Sequence, residues 1–130
     1  AMLACLALFA GSAAHVQADS APGAMAVPAV LPGYRAFAAC AGCHSLAPDA
    51  PHKVGPNLYG LRGRRAASRS DFTYSPELAE SGIVWGPETL ATWIVAAEHL
   101  VPGTWMLYDN VLHSAEVPAL VDYILRQEDH

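Results

Sequence analysis

Apolar positions along this chain recur at helical spacing in three places, and nowhere do they alternate in the two-residue rhythm of a strand. Tyr34, Phe37 and Ala41 form the first stripe, and Pro32 suits the opening turn of a short helix beneath them. Leu90, Trp93, Ile94 and Ala97 form the second, opened by Pro87 and Glu88. Val117, Leu120, Val121, Ile124 and Leu125 form the third, predicting a closing helix over 114–126 with Pro118 in its first turn. A fourth, shorter helix is predicted from Ser75-Pro76-Glu77, with Ser75 as N-cap, Pro76 at the first position and Gly82 as the stop. Between these, 46–69 and 99–112 are punctuated by proline and glycine and read as loops. The pattern predicts an all-α domain of about four to five helices whose long loops need something to wrap around.

The two ends of the chain read differently. Residues 2–14 are almost wholly apolar, and Val16-Gln17-Ala18 supplies a small-x-small pattern, so 1–18 reads as an export signal. That run is too short to span a bilayer; the alternative is an uncleaved anchor on a longer parent chain. Residues 19–31 are rich in Ala, Pro and Gly and read as a flexible lead-in, leaving 32–130 as one domain. Net charge is −5, and Lys53 is the single lysine, which argues against a nucleic-acid surface.

Chemistry concentrates in Cys40-Ala41-Gly42-Cys43-His44. Two thiols at C-x-x-C spacing can bond the two vinyl groups of one haem, and the adjacent imidazole can reach its iron. A thioredoxin-like redox pair would need a β-α-β pattern, which is missing, and a zinc site would need a second ligand pair. His52, His99 and His113 are scattered singly. Removal of 1–18 would take Cys5 away and leave both remaining cysteines inside the motif, as suits an oxidising compartment. A haem iron held by His44 needs its sixth position explained. Met25, Met106, His52, His99, His113 and His130 are the candidates, and Met106 follows the turn-forming Pro102-Gly103 directly after a helix.

With these motifs in order, residues from about 32 to 127 resemble the class I cytochromes c, small electron carriers with a covalently bound haem. The resemblance rests on C-A-G-C-H, on Gly55-Pro56-Asn57-Leu58, Gly63-Arg64, Phe72-Thr73-Tyr74 and Gly82-Ile83-Val84-Trp85, and on Pro102-Gly103-Thr104-Trp105-Met106. It implies thioethers at Cys40 and Cys43, His44 and Met106 as axial ligands, and a His44 ring bond to the Pro56 carbonyl. It also implies that Arg64, Tyr74 and Trp85 donate to the haem propionates. Three departures stand out: Pro28 and Pro32 shorten the usual first helix, Leu78 replaces a common asparagine, and Trp93 replaces a common tyrosine hydroxyl facing the methionine. The lysine-rich docking face of the mitochondrial relatives is absent, and Trp105 stands where lysine is frequent.

What the resemblance implies is a one-electron carrier rather than an enzyme, with both axial positions filled. It would work in the periplasm between redox proteins, touching a membrane only through them or an uncleaved anchor. The competing expectations are a tethered haem subunit of an oxidase or dehydrogenase complex, and a peroxidase-like enzyme whose distal bond opens.

Overall fold

The structure, a computed structural model, describes residues 32–128. The expected signal 1–18, the lead-in 19–31, Cys5, Met25 and His130 lie outside the described residues. Four helices are present: α1 Pro32–Phe37, α2 Pro76–Glu80, α3 Pro87–Leu100 and α4 Val117–Leu125. The all-α expectation holds among the described residues, where the one extended pairing is an isolated antiparallel bridge between Arg65 and Val84.

Local chemistry accounts for the helix ends. The Ser75 hydroxyl accepts from the Leu78 backbone N–H at 3.2 Å, capping α2, and Pro76 follows it. Thr89 in the first turn of α3 accepts from the Gly86 N–H at 2.9 Å, so an orphan donor is satisfied by reach-back. Near its end α3 leaves helical geometry at Ala96 (φ −158°, ψ 71°) before finishing at Leu100, two residues into the stretch expected as loop. The closing helix begins at Val117, later than the expected 114. Pro118 tolerates only the first turn of a helix, and residues 114–116 form a turn ahead of it.

The core is the second and third apolar stripes meeting each other. Leu90, Trp93, Ile94 and Ala97 of α3 and all five stripe residues of α4 are buried, with Leu120, Ile124 and Leu125 nearly inaccessible. α4 packs against both α1 and α3. The first stripe is corrected: α1 buries Gly33 and Ala36, whereas Tyr34 stays 58% exposed. Gly33 explains the rotation, since a Cβ there would overlap the Ala119 carbonyl and Tyr123 Cβ of α4. With no side chain at the crossing, six residues of α1 come close enough to anchor the C-terminal helix. Tyr34 and Phe37 then flank the Tyr123 ring, each with ring centroids 6.0 Å away.

Candidate cofactor site

The C-A-G-C-H segment is wound into a single turn directly after α1. The Cys40 carbonyl accepts from the Cys43 N–H at 3.0 Å and from the His44 N–H at 2.9 Å, so both thiols and the imidazole are delivered from one backbone turn. Cys40 is half-buried and Cys43 exposed, and they are not joined to each other. Burial, followed by the neighbouring Cys43, pushes the Cys40 thiol up from its ordinary value, which keeps it protonated at neutral pH.

His44 is held from behind. Its Nδ1 lies 2.8 Å from the Pro56 carbonyl oxygen, and since a carbonyl only accepts, Nδ1 carries the proton and Nε2 keeps a free lone pair. Burial is the largest influence on the ring and lowers its pKa below the ordinary histidine value, favouring the neutral form that ligates metal. Gly55 lies flat against the ring, and a Cβ there would overlap it. The segment carrying Gly55 and Pro56 is stitched to the cysteine turn: Gly55 N–H donates to the Cys43 carbonyl at 2.8 Å and Leu58 N–H to the Ser45 carbonyl at 2.9 Å.

Asn57, buried at 2% exposure, is the hub of this side. Its Nδ2 donates to the Ala47 and Ala50 carbonyls at 2.9 and 2.8 Å, its Oδ1 accepts from Tyr59 N–H at 2.8 Å, and its own N–H donates to His52 Nδ1. His52 is thereby spent on structure. Its Nε2 lies 3.1 Å from the Asp71 carboxylate and its ring meets Phe72, so it is not among the residues facing the cavity.

Met106 comes from the loop after α3. The Val101 carbonyl accepts from Thr104 N–H at 3.1 Å across Pro102-Gly103, and Gly103 adopts φ +89°, as the third position of such a turn requires. The Met106 sulfur accepts from the Trp93 indole N–H at 2.9 Å. The tyrosine hydroxyl that Trp93 replaces is therefore answered by an indole donor, and the indole is itself stacked edge-on against Trp85 at 5.4 Å.

Both segments line a cavity of about 290 Å³. Cys40, Cys43, His44, Pro56, Arg64, Tyr74, Trp85 and Met106 all line it, so every residue expected at the site is brought to one place. His99 and His113 do not line it; His99 faces a neighbouring hollow of about 330 Å³ that shares Met106, Leu107 and Tyr108. Leu58, Leu61, Leu78, Leu90 and Trp93 complete apolar walls. Arg64 and Trp85 are set side by side by backbone pairing, with Trp85 N–H donating to the Arg64 carbonyl at 2.9 Å. The Arg64 guanidinium already donates to the Tyr59 and Asn57 carbonyls at 2.9 and 3.2 Å, and burial is the main cause lowering its pKa. Sequence reasoning did not identify Gly55, the Asn57 hub or the Trp93–Met106 bond. The G-P-N-L motif carried the signal for the first two.

The donor set fits a covalently held haem. Two thiols from one turn, an imidazole with a free nitrogen, a thioether and leucine walls line one largely apolar slot. The comparisons agree. The chain is similar to cytochrome c2 of Blastochloris viridis, 38% identical over 92 residues that cover 71% of this chain and 72% of that one. It is 36% identical to cytochrome c2 of Rhodoblastus acidophilus over 84 residues, covering 65% of this chain and 78% of that one. Its fold is similar to the solved cytochrome cH from Methylobacterium extorquens, with TM-score 0.66 and 30% identity over 72% of this chain and 93% of that chain. No family model matches the sequence. An apolar slot with this donor set, on this fold and in this company, makes the chain a member of the class I bacterial c-type cytochromes, haem proteins that carry electrons and are not enzymes.

Proposed function

We propose that the chain holds one haem c through thioethers to Cys40 and Cys43, with His44 and Met106 as axial ligands, and passes single electrons between redox proteins of the periplasm. The bound haem supplies a metal that changes oxidation state by one electron. The rest of the work falls to the residues of this chain. Pro56 and Gly55 fix the His44 ring and leave Nε2 as its ligating atom. Trp93 directs one lone pair of the Met106 sulfur, leaving another free for a metal. Arg64, Tyr74 and Trp85 are the donors offered to the carboxylates of the group, and the leucine walls exclude water, which keeps the solvation change on electron transfer small.

The observation that carries this reading is that His44 and Met106 line one apolar cavity together with both thiols. Residues 1–18 supply the basis for export, and among the described residues no helix is long and apolar enough to cross a membrane. A pyridine haemochrome spectrum beside an intact mass tests the reading. Two saturated thioethers and one haem mass are expected, and the mass also reports whether 1–18 is removed. A double Cys40→Ser, Cys43→Ser protein that keeps covalent colour in a denaturing gel would refute it.

A further inference from the structure

We propose that Arg65 is a second guanidinium for the carboxylates of the bound haem and that its charge holds the reduction potential up. The proposal rests on the reading of this cavity as the haem site. Arg62, Arg64, Arg65 and Arg69 form the one basic run of an acidic chain. Arg62 donates to the Leu125 carbonyl and pairs with Glu128, Arg69 pairs with Asp71, and Arg64 donates to the Tyr59 and Asn57 carbonyls. Arg65 differs. It is exposed, and its guanidinium has no hydrogen-bond or ion-pair partner among the described residues.

The backbone of Arg65 is nonetheless fixed. It pairs with Val84 in the isolated bridge, flanked by Trp85 N–H donating to the Arg64 carbonyl at 2.9 Å and Ala66 N–H donating to the Ile83 carbonyl at 2.8 Å. Arg65 is thus tied to the segment that carries Trp85, itself a donor to the same carboxylates. On its other flank the Ser68 N–H donates to the Arg65 carbonyl at 3.3 Å, closing a turn in which Ala67 takes φ 55° and lines the cavity.

Charge balance supplies the rest. Arg64 and Arg65 both line the cavity, and no aspartate or glutamate does. Asp71, the carboxylate nearest in sequence, is held by Arg69 and His52. The two carbonyls that hold Arg64 leave its charge unbalanced, because a carbonyl carries none. A cavity lined by two cations and no anion calls for an occupant with negative charge, and haem brings two carboxylates. Arg64 is half-buried and Arg65 exposed, so the pair made by Arg65 is the one that salt screens. Oxidised haem carries one more positive charge than reduced haem, so a neighbouring cation disfavours oxidation.

Spectroelectrochemical titration of the haem-loaded full chain at low ionic strength tests this, with Arg35→Gln as control. Arg35 is exposed and lines neither cavity, and its loss alters net charge equally. Arg65→Gln should shift the one-electron equilibrium about threefold toward the oxidised form, a fall of about 28 mV in potential. Arg65→Glu should shift it about tenfold, whereas Arg65→Lys and Arg35→Gln should each shift it by less than about 1.5-fold. Salt at about 0.5 M should at least halve the Arg65→Gln shift. In resonance Raman spectra the propionate-bending bands should move in Arg65→Gln and stay in Arg35→Gln. Covalent haem is counted first for each protein, and a colourless parent would refute the reading of the cavity and the proposal with it. With haem bound, an unchanged potential in Arg65→Gln and Arg65→Glu, a shift matched by Arg35→Gln, or propionate bands indifferent to Arg65 would overturn the proposal alone.

Discussion

The two sides of the cavity are built in different ways. The His44 side is a knot of backbone: one turn presents both thiols and the imidazole, Gly55 and Pro56 brace the ring, and the Asn57 amide ties the Ala47 and Ala50 carbonyls to the Tyr59 N–H. The Met106 side is a Pro-Gly turn, a Thr104 hydroxyl that accepts from the Met106 N–H at 3.4 Å and one indole bond, and Met106 also lines a second hollow. A ligand held by many mutually dependent bonds moves only if the loop melts, whereas a ligand held by one turn can be displaced locally. The asymmetry says which side sets stability and which side sets the electronic properties of the site.

Gly55→Ala breaks the rigid side most severely. The added methyl overlaps a ring that Pro56 prevents from retreating, so a loss of about 3 kcal/mol is expected, seen as a lower denaturant midpoint at unchanged slope. Asn57→Ala comes next. It strips partners from the Ala47 and Ala50 carbonyls and the Tyr59 N–H, and about 2 kcal/mol should be lost.

Trp93→Phe probes the other side. Removing the indole donor leaves the Met106 sulfur a stronger electron donor, which favours the oxidised state, so the potential should fall. A hydrogen bond worth about 1 kcal/mol corresponds to about 40 mV for one electron, readable by spectroelectrochemical titration. A larger stability loss in Trp93→Phe than in Gly55→Ala would reverse the comparison.

The smallest effect concerns Asp71, whose carboxyl is held well below the usual carboxylate range, first by Arg69 and then by His52. A depressed folded-state pKa means its contribution is fully present above the unfolded value and is lost as pH falls through the depressed folded value. Asp71→Asn should thus be slightly less stable than the parent at neutral pH, by a gap that has narrowed but not closed at pH 3. Denaturant midpoints at the two values check it.

The sequence carried the outline well because its signals are local. Ser75-Pro76 caps a helix wherever it lies, the α3 and α4 stripes can bury only one face, and C-A-G-C-H needs no tertiary partner to be read. What escaped was set by contacts distant in sequence. Tyr34 looked like a core position by spacing, but the close crossing at Gly33 turned the helix so that Gly33 and Ala36 face α4. Trp93 read as the loss of a hydroxyl, because nothing in one sequence tells that an indole N–H will meet a sulfur thirteen residues on. Arg64 read only as a propionate donor, and nothing in the sequence tells that the Tyr59 and Asn57 carbonyls also hold its guanidinium.

The central claim, that the metal is gripped by His44 on one side and Met106 on the other, is tested most directly by NMR of the reduced protein carrying methyl-labelled methionine. One methionine methyl should appear far upfield, shifted by the ring current of the adjacent macrocycle, remaining in Met25→Leu and vanishing in Met106→Leu. An upfield methyl that survives Met106→Leu, or none in the parent protein, would contradict the account.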